Sequence, residues 1–323
     1  IRRSGDIDRE WTPQYGNKLK TKEGKEYKGS ILEHILLQNL VQFFNVGEHN
    51  NLKLEDADWN DGLDMGSDKG ESVAFSAFYS SNLAELSKML RNLKECKGIS
   101  EIDIASEMTI LLDSLKDKVE YDSVEEKTNL LNKYYDTCGH IISGEKVKLD
   151  IDKVADDLMK KAQWLKEHIR KNEWVKNSEG YEWFNGYYDN KGERVEGDFP
   201  SGVRMTLTGQ VFAVMGEVAT EEQVDKVAKS VKNYLKDSKI GGYRLNTNFN
   251  EVKLDLGRCF GFAFGHKENG AMFSHMAVMY GNALYKRGFA KEGYDVIKSI
   301  YDLSADFENS RIYPGVPEYI NEE

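Results

Sequence analysis

The sequence predicts an all-α protein built from antiparallel helix pairs. Three observations carry this. Apolar residues recur at helical spacing in about nine segments. Only four prolines occur in 323 residues, and the periodic segments are largely free of them. Strand signals do not alternate with helices, so a parallel α/β sheet is not expected. Helix pairs wrapped around a central axis, an α/α toroid, suit this pattern.

Residues 1–29 are polar and rich in Gly and Lys, and read as irregular chain or a hairpin. Ser30 and Glu33 then have capping-box spacing. Ile31, Leu32, Ile35, Leu36, Leu40, Phe43 and Phe44 follow at helical intervals. His34 on this helix reads as a packed or surface histidine. An acidic loop comes next. A second helix is predicted from about 70 to 93, with Val73, Phe75, Ala77, Phe78, Leu83, Leu86 and Leu90 inward. A third is predicted over 101–118 through Ile104, Met108, Leu111, Leu112 and Leu115, and a fourth over 122–138. The fifth, 150–172, uses Val154, Leu158, Trp164, Leu165 and Ile169. Charged residues on these helices read as solvated faces.

From 174 to 202 the pattern changes. Gly180, Trp183, Gly186, Tyr187, Tyr188, Asn190 and Gly192 mark turns and short strands. The aromatics there either stack on sugar rings or pack hairpins. Helices resume at 206–216 and 221–235, a hairpin is predicted over 243–254, and helices return at 269–287 and 291–303. No short internal repeat is present.

The formal net charge of −11 argues against a nucleic-acid surface, which needs a basic patch. Cys96, Cys138 and Cys259 show no metal-ligand spacing and no disulfide framework. No metal is expected, and a reducing cytoplasm fits best. No apolar run approaches the roughly 20 residues of a membrane span, and no signal peptide is visible.

Chemistry concentrates in one stretch. Asp56, Asp58, Asp61 and Asp64 surround Trp59, and Lys69-Gly70-Glu71-Ser72 follows. Clustered carboxylates repel, which raises the pKa of at least one. A carboxylic acid kept protonated beside an aromatic ring is what glycosidic cleavage needs. An acidic turn with a helix cap, or a cation site, is the competing reading.

The string Asp58-Trp59-Asn60-Asp61-Gly62, followed by Lys69-Gly70-Glu71-Ser72, resembles the signature of the inverting glycoside phosphorylases related to cellobiose phosphorylase. That family includes the chitobiose, cellodextrin and 1,2-β-oligoglucan enzymes. A second match lies downstream, at Lys267-Glu268-Asn269-Gly270-Ala271-Met272-Phe273-Ser274-His275. Two motifs in the expected order are more specific than either alone. The resemblance covers most of the chain and is weakest between 95 and 160, which looks like an expansion.

The resemblance implies an (α/α)6 toroid, with residues 1–323 forming part of one catalytic domain. The chain opens on Ile1 and stops soon after Tyr313-Pro314-Gly315, and is read as a fragment or processed piece of a longer enzyme; the resemblance implies a parent with an N-terminal β-sandwich and further C-terminal chain. The resemblance also implies roles. Asp61 matches the general acid, Trp59 a tryptophan beside the bound sugar, Lys267 a lysine on the acceptor sugar, and His275 a phosphate-binding histidine. On its own residues, His275 beside Phe273 and Met276 reads as a core histidine. The implied partners are a β-linked gluco-oligosaccharide or disaccharide and inorganic phosphate, a co-substrate, with no other cofactor. A homodimer of the parent enzyme is one state the resemblance allows.

Departures from the family pattern bear on specificity. Phe262-Ala263-Phe264-Gly265-His266 stands where a Pro-Gly turn is usual, and Glu55-Asp56-Ala57 replaces a Gly-rich lead-in. The family's donor-sugar Arg and Asp, and its C-terminal Gly-Ser/Thr phosphate loop, have no counterpart, and the fragment alone is expected to be weak or inactive. An inverting hydrolase needs an acid and a base, whereas a phosphorylase needs the acid and a held phosphate. One acidic locus with a distant Lys/His locus fits the second arrangement better. The alternatives are a hydrolase on the same toroid, with Glu71 or Glu268 as base, and a non-catalytic carbohydrate-binding domain. A cyclic-glucan synthase portion is a variant of the phosphorylase reading.

Overall fold

The structure is a computed structural model. It describes residues 18–55, 61–116, 118–138, 141–305, 308 and 316–321, and at Asp61 the backbone alone. Among the described residues α-helix far outweighs strand, and no helix is long and apolar enough to cross a membrane. The chain divides into two compact units, Ile1–Val46 with Ser81–Trp164, and Gly47–Ser80 with Leu165–Glu323.

In the first unit, β1 (Lys20–Thr21) precedes α1 (Ile31–Phe44). Ser30 caps α1 by accepting the Glu33 amide at 3.0 Å, so half of the expected capping box forms. The other half does not. The Glu33 carboxylate instead accepts the Tyr27 hydroxyl at 2.5 Å and the Ala105 amide at 3.2 Å. Leu36, Leu40, Phe43 and Phe44 are fully buried, and His34 is exposed.

The helix predicted over 101–118 is absent. Glu101–Ala105 forms a strand, and two 3-10 turns follow at Ser106–Leu111 and Asp113–Leu115. The reason is local. Glu101-Ile102-Asp103-Ile104 alternates polar with apolar, a strand period. Thr109 then turns its hydroxyl onto the Ser106 carbonyl at 2.7 Å, offering the backbone an alternative to helix. The helices predicted over 122–138 and 150–172 are present as Val124–Thr137 and Ile151–Asn172.

Buried charge organises this unit, against the expectation of solvated faces. Lys161, fully buried, lies 2.6 Å from both Asp113 and Asp157. Tyr121 donates to Asp113, and Ser114 donates amide and hydroxyl to Asp157. Lys127, also fully buried, places its amine 3.6 Å from the Trp164 ring centroid and 4.5 Å from that of Phe43. Burial holds its pKa well below the usual lysine value.

Among the described residues of the second unit an apolar core includes Leu54, Val73, Trp183, Phe184, Val211, Val227 and Tyr280. A three-stranded antiparallel sheet joins Leu52–Lys53, Glu71–Ser72 and Tyr187–Tyr188, with Leu52 opposite Ser72 and Glu71 opposite Tyr188. Trp174–Lys176 pairs with Glu182–Phe184, and Gly197–Phe199 with Gly202–Arg204. The expected hairpin over 243–254 is replaced by single bridges from Tyr243 to Lys236 and from Asn246 to Thr206. The helices Leu207–Met215, Glu221–Tyr234 and Ala290–Ala305 lie near their predicted positions. The one predicted from 269 starts only at Ser274 and runs to Lys286, because Met272–Phe273 pairs as a strand with Tyr319–Ile320.

The Lys161 cluster gives a stability test. Replacing Lys161 by Ala leaves two buried carboxylates facing each other, and breaking a buried pair in this way costs about 3–5 kcal/mol. Urea unfolding of Lys161→Ala should show a loss of that order. A change below about 1 kcal/mol would mean that the cluster carries no more than a surface pair.

Candidate active site

The short sheet pins both ends of the acidic loop, since the chain enters it from Leu52–Lys53 and leaves it through Glu71–Ser72. Glu71 is fully buried. One oxygen accepts the His49 amide at 2.8 Å and lies 2.9 Å from its ring Nδ1, while the other accepts the Asn51 amide at 2.9 Å. Burial raises its pKa against the pull of these donors. The His49 ring stacks on Tyr188, 3.8 Å between centroids. Tyr188 donates to Glu173, which also accepts Asn51 Nδ2 at 2.8 Å and Asn185 Nδ2 at 3.1 Å. Both Glu71 oxygens are thus engaged in shaping the 47–51 turn.

Asp61 opens a 3-10 turn, Asp61–Leu63. Gly62 and Leu63 in that turn line a cavity of about 200 Å³. His275, in the first turn of Ser274–Lys286, lines the same cavity, with its ring edge-on to Phe273 at 5.6 Å. The structure therefore brings the Asp61 turn and His275 to one space. The Asp61 side chain, Trp59, Asp56 and Asp58 lie outside the described residues.

Lys267 does not line the cavity. It is exposed, with a φ of 46°, and its amine lies 5.1 Å over the Phe262 ring. Its neighbour Glu268 does line it. One Glu268 oxygen accepts Arg258 Nη2 at 3.1 Å. The other is buried and has no hydrogen-bond partner among the described residues.

The turn is held against a second loop. The Arg258 amide donates to Asp64 at 3.0 Å, and the Met65 amide to the Leu256 carbonyl at 3.2 Å. A Cβ at Gly257 would lie 2.0 Å from the Gly62 carbonyl oxygen, so only glycine permits this approach. Asp64, one of the four clustered carboxylates, is a loop clasp.

Sequence reasoning missed Glu196. It is fully buried and accepts the Thr206 hydroxyl at 2.6 Å, the Thr206 amide at 2.8 Å and the Gly186 amide at 2.8 Å. Thr206 lines the cavity. Burial pushes the Glu196 pKa up to about 8 against these donors. Cys259 also lines the cavity, and burial pushes its thiol up to about 12, which leaves it protonated near neutrality. Of the aromatics read as sugar-stacking candidates, Tyr187 lines the cavity, whereas Trp183 is fully buried in the core.

The sequence matches the glycosyl hydrolase 94 superfamily, catalytic domain, over residues 11–117 and 141–316. The chain belongs to this family. Solabiose phosphorylase of Paenibacillus borealis is 24% identical over 282 residues, 87% of this chain. The chain spans 29% of that relative's length. The glycosyl hydrolase 94 match omits residues 118–140. These include Val124–Thr137 and lie within the stretch read as an expansion.

Glu196 sets a pH dependence. Its pKa is raised from 4.5 to about 8 on folding. The folded state therefore binds the extra proton in that window, and the stabilisation is lost as pH rises through it. Glu196→Gln removes the titration. Urea midpoints should fall less steeply with pH between 4.5 and 8 in the variant than in the unsubstituted protein. Equal slopes would place Glu196's titration outside this window.

Proposed function

We propose that the chain is part of the catalytic domain of an inverting glycoside phosphorylase. The enzyme reversibly cleaves a β-glucosidic bond with inorganic phosphate, giving α-glucose 1-phosphate and a shortened sugar. Family membership and the likeness to a protein named solabiose phosphorylase support the class. The observation that carries the site is the shared cavity, lined by the turn that Asp61 opens and by His275.

Asp61 is the general acid. It gives its proton to the glycosidic oxygen as that bond breaks, while a phosphate oxygen attacks the anomeric carbon from the opposite face. His275 binds that phosphate, Trp59 flanks the sugar and Lys267 contacts the acceptor sugar. The buried Glu268 oxygen that has no hydrogen-bond partner among the described residues is an acceptor for a sugar hydroxyl. Phosphate is a co-substrate and no other cofactor is needed. The domain is an (α/α)6 toroid in a cytoplasmic enzyme, and the family match on both sides of 118–140 supports a single catalytic domain.

A second reading draws on Glu268. A carboxylate in the cavity wall could serve an inverting hydrolase as base, in place of Glu71, whose oxygens are engaged by the 47–51 turn. A phosphate requirement for turnover separates the two.

The test uses the full-length enzyme. Losing a general acid costs about 10²–10⁴-fold in rate, so Asp61→Asn should collapse turnover while sugar binding survives. His275→Ala should mainly raise the phosphate concentration needed for half-maximal rate. Normal turnover in Asp61→Asn, or turnover independent of phosphate, would refute the assignment.

A further inference from the structure

Asn190 belongs to a turn that sequence analysis marked only as punctuation. Its side chain makes four hydrogen bonds. Nδ2 donates to the Met65 carbonyl at 2.6 Å and the Asp255 carbonyl at 3.0 Å. Oδ1 accepts the amides of Asp68 at 3.0 Å and Lys69 at 3.2 Å. An amide side chain has two donors and one oxygen with two lone pairs, so this one is saturated. All four partners are backbone groups, three in the acidic loop and one in the loop that lies against it.

Both loops contribute to the cavity wall, the first through Gly62 and Leu63 and the second through Leu256, Cys259 and Phe260. The turn that carries Asn190 is itself fixed. Asp189 is fully buried, accepts the Lys191 and Glu193 amides, and pairs with the buried Lys253 at 2.8 Å. Asp189 thereby ties the turn to the second loop, and Asn190 ties it to both. Gly257 permits the close contact between the loops, since a Cβ there would not fit beside the Gly62 carbonyl.

We propose that Asn190 is a positioning residue for the general acid, holding the Asp61-bearing loop against the 253–261 loop so that the acid meets the glycosidic oxygen. This rests on the reading of Asp61 as the proton donor. Asn190 touches neither sugar nor phosphate in this account. Its effect is confined to the step that needs the proton.

That confinement supplies the test. In the full-length enzyme, turnover is compared for a β-linked disaccharide and for the dinitrophenyl β-glycoside of the same sugar. The dinitrophenolate leaves as a stable anion and needs no proton. A misplacement of about 1 Å can cost 10²-fold in rate. Asn190→Ala should therefore lower disaccharide turnover by about 10–100-fold, keep aryl-glycoside turnover within about twofold, and leave the KM for phosphate unchanged. Asn190→Asp keeps the bonds to the Asp68 and Lys69 amides, loses the other two, and should fall between. Equal loss on both substrates would make Asn190 merely structural, and no loss on either would end the proposal. The ratio of the two rates also reports the acid if water proves to be the nucleophile. A phosphate-independent parent enzyme would thus overturn the phosphorylase reading while the ratio still decides the role of Asn190.

Discussion

A carboxylate with no solvent exposure, Glu71, fixes the geometry on which the candidate site depends. Its two oxygens gather the amides of His49 and Asn51, so the turn that feeds the acidic loop is tied to the strand that ends it. A buried carboxylate is costly unless hydrogen-bonded, and removing its donors would leave that cost uncompensated. Loop entry and exit are thereby held together in a sheet only three strands wide. Asn190 and the Gly257 approach then hold the outer part of that loop. The wall of the cavity is the outcome of these two fixings, one at the base and one at the flank.

Much of the fold was legible because it is written locally. Ser30 with Glu33 announces a helix start within four residues, and the Ser30 half of that cap forms. The segment 101–118 misled because Ile104, Met108 and Leu111 satisfy a helical period while Ile102 and Ile104 also satisfy a strand period. Pairing of Glu101–Ala105 with Lys146–Asp150 decided between them, and that partner lies some 45 residues away. The buried Lys127 and Lys161 were read as solvent-facing for a related reason. Nothing in the spacing of a helix says that aromatic rings or two aspartates will surround its amine.

The site divides in the same way. Asp61 and His275 are more than two hundred positions apart, and only the paired motifs suggested that they share a space. The supporting residues carried no such mark. Asn190 reaches partners 125 and 65 residues distant, and Glu196 reads in sequence as one acid in a turn-rich stretch. Lys267 shows the converse. Its motif marks it for the acceptor sugar, and the residue beside it that lines the cavity, Glu268, carried no role in the resemblance.

The central claim is that this domain serves transfer of a sugar to phosphate with inversion. It is tested most directly by the configuration of the product. Proton NMR during reaction of the full-length enzyme with a β-linked disaccharide and phosphate reads the anomeric centre of the sugar phosphate, which cannot mutarotate once esterified. The account predicts α-glucose 1-phosphate as the newly formed sugar phosphate, appearing as phosphate is consumed. A β-configured phosphate, or free sugar released with no phosphate consumed, would contradict it.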